Sequence, residues 1–277
     1  MTMMDTNNSI SNTICSDDLD IFILELNNIL GEGKFTIREL IQEAGKRGLK
    51  KYWKNIKTID DVFQVFGTNR TRDKGLCGKV LEYALFGNMP NNDPNPDLDN
   101  NRDVKTNKWK KLKSGAYRST ERIKIGTAGN TDNWSSFDHI LNSSNITELK
   151  KYDKMSCVIP LIENSCSTLE GVLNLRILYV AKYDISKSNY IDALNKDLED
   201  IKEKLRNKEA SQTGQKYLHL HTQGEGRGKN GGRALGYKQK FVTMLVAESI
   251  ARDKKISIDS VLIAKGRSLY INPDILN

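Results

Sequence analysis

The chain has 277 residues, with 43 Lys and Arg against 35 Asp and Glu, for a net charge of +8 at pH 7. Hydrophobic residues make up 38% and charged residues 28%, which fits one large or two small globular domains and excludes a fibrous or wholly disordered chain. No apolar run approaches the ~18–20 residues that span a bilayer, and the start carries Asp5, Asp17 and Asp18 rather than a basic leader. The expectation is therefore a soluble, cytoplasmic protein with no membrane partner. Its positive balance makes nucleic acid a fair partner, although a merely basic surface explains the charge equally well. The four cysteines, Cys15, Cys77, Cys157 and Cys166, form no Cys-x-x-Cys pair, which suits a reducing compartment and argues against a disulfide framework or zinc ribbon.

In chain order, residues 1–17 read as a polar tail, and 19–30 as a helix stopped by Gly31 and Gly33. A second helix begins at Thr36, where Thr36 and Glu39 have the spacing of a capping box. Residues 58–66 and 76–87 read as two further helices, and the three prolines and four asparagines of 88–96 must break structure. Strands are expected over 97–106, 117–125, 156–162, 172–183 and 216–222. Ile191, Leu194, Leu198, Ile201 and Leu205 make one apolar stripe on a helix within 186–209, too short for a sustained coiled coil, and 240–253 is a last helix. Helices mixed with strands predict a mixed α/β or α+β fold.

Chemistry gathers around the proline-rich break. Asp97 follows Pro96, and Asp103 and Lys105 are two apart, hence on one side of a strand. Asp97 and Asp103, six apart, share that face if the segment is regular. Two carboxylates and a lysine on one face suit Mg²⁺ and the attack of water on phosphate. Alone, the short pattern reads better as an exposed cross-strand ion pair on a Lys-rich strand.

The neighbouring residues carry more information. The run "TRDKGLCGKVLEYALFG" (71–87), with Arg72, Asp73, Lys74, Gly75, Gly78, Leu81 and Glu82, leads into Asp97, Asp103, Lys105 and Thr106. It resembles the MutH mismatch-repair endonuclease and its GATC-cleaving restriction-enzyme relatives of the PD-(D/E)XK superfamily. The resemblance resumes at "KYLHLHTQGEG" and "GYKQKFVTMLVAESI" and covers about residues 36–250, with a poorly matched middle at 107–150. Asp103 stands where the compared family member has glutamate, and the interval from Asp97 is one residue tighter, which leaves Asp99 open as the partner carboxylate. After the recognition strand, His221 and Gln223 stand where the family usually has Arg and Lys.

That resemblance implies a restriction-endonuclease-like mixed sheet flanked by helices, with two lobes around DNA. A single domain would span 18–255, with 18–110 mainly catalytic and 111–255 mainly recognition, followed by a C-terminal extension at 256–277. It implies Glu82, Asp97, Asp103 and Lys105 as catalytic residues, with Asp97, Asp103 and Glu82 holding Mg²⁺. DNA contacts would come from Lys74, Lys151, Lys154, His219, His221, Gln223, Arg227, Lys229, Arg233, Tyr237 and Lys238. The implied activity is type II cleavage of double-stranded DNA at a GATC-like site, by a monomer or homodimer working beside a cognate methyltransferase. A repair nickase and a non-catalytic DNA-binding module are the alternatives.

Three other features were weighed on the residues themselves. Gly226, Gly228 and Gly231 form a nominal dinucleotide fingerprint, but Gly232, Arg233 and Gly236 follow, so no helix opens there. His219 and His221 share a strand face but have no Cys or acidic partner at metal spacing, which favours DNA contact or solvation over zinc. Five lysines surround Trp109 in 105–113, as a phosphate contact or equally as a solvated turn.

Overall fold

The computed structural model describes residues 16–67, 75–89, 97–98, 102–149, 156–164, 166–185, 189–209, 214–222, 231–266 and 268–276. Helix α1 (Ser16–Gly31) buries Leu19, Phe22, Ile23, Leu26 and Leu30, the three- and four-residue spacing of one helix face. After β1 (Phe35–Thr36), α2 (Ile37–Lys46) starts with the expected capping box: Glu39 N–H donates to Thr36 Oγ1 (3.2 Å) and Thr36 N–H to Glu39 Oε2 (2.8 Å). A second box, Thr58 with Asp61, opens α3 (Ile59–Phe66). Helix α4 (Leu76–Phe86) ends at Gly87, whose φ of 78° and approach to Asn55 leave no room for a side chain: a Cβ would stand 2.6 Å from the Asn55 carbonyl oxygen.

Next come β2 (Asp103–Val104), β3 (Asn107–Lys111), β4 (Tyr117–Ser119), β5 (Ile123–Asn130), α5 (Asp138–Leu141), β6 (Ser156–Glu163) and α6 (Leu169–Leu173). They are followed by β7 (Arg176–Asp184), α7 (Ile191–Arg206), β8 (Leu218–Thr222), β9 (Gly232–Tyr237) and α8 (Gln239–Lys254). The last elements are α9 (Ile258–Val261), β10 (Leu262–Lys265), β11 (Ser268–Ile271) and α10 (Pro273–Leu276). Eight strands form a mixed sheet in the order β1-β7-β6-β3-β4-β11-β10, with β2 also on β6; β2 and β3 run parallel to β6 and the other pairs are antiparallel. A separate antiparallel sheet has the order β5-β9-β8.

Three strand expectations change. The run 117–125 is two strands in two sheets: the Ser119 hydroxyl bonds Asn107 Oδ1 (2.8 Å) and the Glu121 carbonyl (2.7 Å), fixing a turn that carries the chain from β4 to β5. Val172 and Leu173 end α6, capped by the Thr168 hydroxyl, so the strand of 172–183 starts only at Arg176. Among the described residues of the strand expected over 97–106, only Asp103 and Val104 join a ladder, while Leu98 and Arg102 form an antiparallel bridge. Within the expected break of 88–96, residues 90–96 lie outside the described residues.

Both faces of the main sheet are covered, so β6 and β7 read as nearly unbroken apolar runs. Val158, Ile162, Ile177 and Val180 meet α1, α2, α4 and α6 on one side. Ile159, Leu161, Tyr179 and Ala181 meet α7, α8 and the small sheet on the other. Beyond β1, the outer edge of β7 is closed by side chains: Asn27 exchanges two hydrogen bonds with Val180 (2.8 and 2.9 Å), and Lys182 N–H donates to Ser249 Oγ (2.9 Å). The C-terminal residues contribute β10 and β11 to the same sheet, with Ile271 and Leu276 buried. No helix among the described residues is long and apolar enough to cross a membrane.

The small sheet is tied to α7 by one carboxylate. Asp197, buried at 5% exposure, accepts from the N–H groups of Lys216 (2.6 Å), Tyr217 (2.5 Å) and Leu218 (2.8 Å), which fixes the entry to β8. Asp197→Ala strips three amides of their acceptor, at a cost of about 3 kcal/mol or more. The expected fall in melting temperature is roughly 6–10 °C. Calorimetry showing a change under 1 kcal/mol (about 2 °C) would contradict this role.

Candidate active site

The site forms where the parallel ladder along β6 lapses. Asp103 pairs with Cys157 and Val104 with Val158, and Lys105 N–H donates to the Val158 carbonyl at 3.0 Å. Pairing resumes with Asn107 opposite Leu161, a register that sets Thr106 opposite Pro160. Proline has no N–H to offer the neighbouring strand, so β2 and β3 are separated at Lys105 and Thr106.

Asp97 joins Asp103 by a route that the strand reading did not anticipate. The Leu98–Arg102 bridge folds the chain back, and Val104 N–H donates to Asp97 Oδ2 at 2.9 Å. A turn, not a regular strand, therefore brings the two carboxylates to one place. Lys105 Nζ lies 3.6 Å from Asp97 Oδ2 and 3.9 Å from Asp103 Oδ1, and donates to the Val104 carbonyl at 3.1 Å. Side-chain exposure rises from 1% at Asp103 through 15% at Asp97 to 34% at Lys105, so the carboxylates lie inside and the ammonium reaches the mouth. A salt bridge from Arg102 to Asp20 (2.7 Å), which also meets Lys182 (3.3 Å), fixes the residue before Asp103 against α1.

Glu82 is half-buried on α4, and the expected three-carboxylate set does not form: among the described residues, no three His, Cys, Asp or Glu side chains gather closely enough to hold a metal. Two carboxylates and a backbone carbonyl surround Lys105 Nζ instead. Such an all-oxygen set suits a hard divalent cation, with the ammonium now filling the same electrostatic role. Asp99, the alternative carboxylate, lies outside the described residues.

Beside Lys105 opens a pocket of about 380 Å³ lined by Lys105, Thr106, Arg122, Ile123, Lys124 and Ile125. No acid is among the described residues that line it. Arg122 and Lys124 were missed by the motif reading, although their two-residue spacing on a strand was the available signal. Across the small sheet, Lys124 pairs with Gly236, and Gly236 with His219. The His221 ring lies over Gly236: a Cβ there would meet His221 Cε1 at 3.2 Å. Burial, then the charge of Arg122, push His219 down to about 3 and His221 to about 4. His219 Nε2 and His221 Nδ1 are buried and have no hydrogen-bond partner among the described residues.

The remaining expected DNA contacts divide. Arg233 is half-buried on β9 opposite Thr222. Tyr237 is fully buried, edge-on to Phe241 and Tyr183, and so supports the sheet and offers no surface to DNA. Lys238 donates to the Gln215 carbonyl, holding the approach to β8. Trp109 is 1% exposed in the core, which removes it as a base- or sugar-contacting residue, while Lys110 and Lys111 beside it are exposed. Lys74, Lys151, Lys154, Gln223, Arg227 and Lys229 lie outside the described residues.

The imidazoles yield a pH test. Both folded-state values lie below 6.5, so the unfolded chain takes up protons that the folded chain refuses. Their contribution to stability is complete above about pH 6.5 and is lost as pH falls toward 4. In NMR titrations His219 and His221 are expected to stay neutral down to about pH 5. Titration of either ring near 6.5 would contradict the buried, basic setting.

The sequence matches no known family model, and no curated protein resembles it significantly.

Proposed function

We propose that the protein is a Mg²⁺-dependent, sequence-specific endonuclease for double-stranded DNA. In this reading it is a type II restriction enzyme of MutH-like, PD-(D/E)XK kind, with a restriction-endonuclease-like fold. The observation that carries the reading is the Lys105 ammonium within 4 Å of both Asp97 and Asp103, at a break in the sheet beside a basic pocket. Of the residues expected to bind metal, Asp97 and Asp103 with the Val104 carbonyl would hold Mg²⁺, and Glu82 would act at most from outside that set. Bound there, the metal supplies Lewis acidity at the phosphate and a more acidic water.

The protein's own groups then have separable tasks. Asp103 places its carboxylate in a nearly dry setting, and Asp97 stands beside it and caps Val104 N–H. Lys105, the most exposed of the three, orients the attacking water and stabilises the extra charge at phosphorus. A GATC-like target and a companion methyltransferase belong to the same reading.

The test is incubation with methylated and unmethylated plasmids plus Mg²⁺, followed by sequencing of the fragment ends. Lys105→Ala and Asp97→Asn, the latter retaining an acceptor for Val104 N–H, are expected to lose roughly 10²–10⁴-fold in cleavage while keeping DNA binding. Cleavage by either at the wild-type rate would contradict the assignment. Glu82→Gln is expected to raise the Mg²⁺ requirement by roughly 10–100-fold, as outer-sphere changes do. An unchanged requirement would make Glu82 a packing residue of α4.

A further inference from the structure

We infer that Arg122 and Lys124 form a phosphate-holding edge that guides the DNA backbone from Lys105 onto the small sheet. This rests on the endonuclease reading and adds to it a binding element in the stretch where the family resemblance is weakest.

The pocket beside Lys105 brings three cations together, and no acid is among the described residues that line it. Arg122 and Lys124 are exposed, and neither has a carboxylate partner among the described residues; Lys124 donates only to Thr127 Oγ1 at 3.2 Å. Nearby Glu121 is already engaged by Lys108 at 2.7 Å, outside the pocket. Like charges left unneutralised in a recess concentrate a polyanion there. After burial, the charges of both cations hold His221 below its ordinary value.

In the small sheet Lys124 stands at the exposed end of a row that continues into the buried Gly236 and His219. Gly236 provides no side chain between the cationic edge and the imidazoles, and even a methyl group would stand 2.9 Å from the Ile123 carbonyl. A polymer would follow the exposed cationic edge, with phosphates toward Arg122 and Lys124, and not the row beyond it, where the His221 ring covers Gly236. Phosphate contacts of this kind fix register and carry no sequence information.

The experiment measures binding of a GATC duplex and a scrambled duplex across a salt series in Ca²⁺, which suppresses cutting, using the full chain. Arg122→Ala/Lys124→Ala is expected to weaken binding roughly tenfold on both duplexes and to lower the salt slope by about 2, with an unchanged melting temperature. Lys254→Ala/Lys265→Ala, an equal charge loss at exposed positions elsewhere, is expected to leave the slope near wild type. Arg122→Lys/Lys124→Arg is expected to restore it. A wild-type slope in the first variant, or an equal loss in the Lys254/Lys265 pair, overturns the inference and leaves the nuclease reading standing if the wild type cuts plasmid in Mg²⁺. A wild type that neither binds nor cuts DNA overturns both.

Discussion

The lapse of the ladder at Lys105 governs the site. Pro160, opposite Thr106, offers no N–H, so the parallel pairing that holds Asp103 and Val104 cannot run on unbroken into β3. Asp103 is thus fixed deep in a central sheet, while the residue two positions later has a side chain free to meet three oxygens. The turn at Leu98–Arg102 contributes Asp97 to the same place, and the Val104 amide is its anchor. The proposed hydrolysis needs charge held rigidly and one group able to respond, and this arrangement separates the two.

Rigidity comes from the covering of both sheet faces. Four helices close one side of β6 and β7, and α7, α8 and the small sheet close the other. Asn27 and Ser249 then satisfy the outer edge of β7, which would otherwise present unpaired amides beside the strand that supports the site. The β4–β5 turn connects the layers: Ser119 ends one strand in the main sheet, and three residues later Arg122 faces the pocket beside Lys105. Lys105 and the basic strand thus belong to different sheets joined by one short turn.

Much of this architecture is legible in the sequence because its causes are local. Thr36 with Glu39 states a helix start within four residues, and the stripe on α7 states which side faces the core. Asp97, Asp103 and Lys105 are readable as a group, but the turn that joins them is not, since a regular strand and a bridged turn both bring two carboxylates together. Both halves of 117–125 are strand-like, and only tertiary pairing assigns them to different sheets. Trp109 looks like an aromatic among solvent-facing lysines, yet strand alternation turns Asn107 and Trp109 inward and Lys108 and Lys110 to the other face. Arg122 and Lys124 carry no motif at all. Their meaning arises from Lys105, seventeen residues earlier, lying across the same pocket.

The central claim is that the oxygens around Lys105 are a divalent-cation site. Anomalous diffraction from a crystal soaked in Mn²⁺ tests it most directly. The account predicts one strong peak between the Asp97 and Asp103 carboxylates, within about 2.0–2.3 Å of their oxygens, with Lys105 Nζ moved toward the pocket mouth. A crystal in which Mn²⁺ binds elsewhere while Lys105 keeps its contacts with both carboxylates would contradict it.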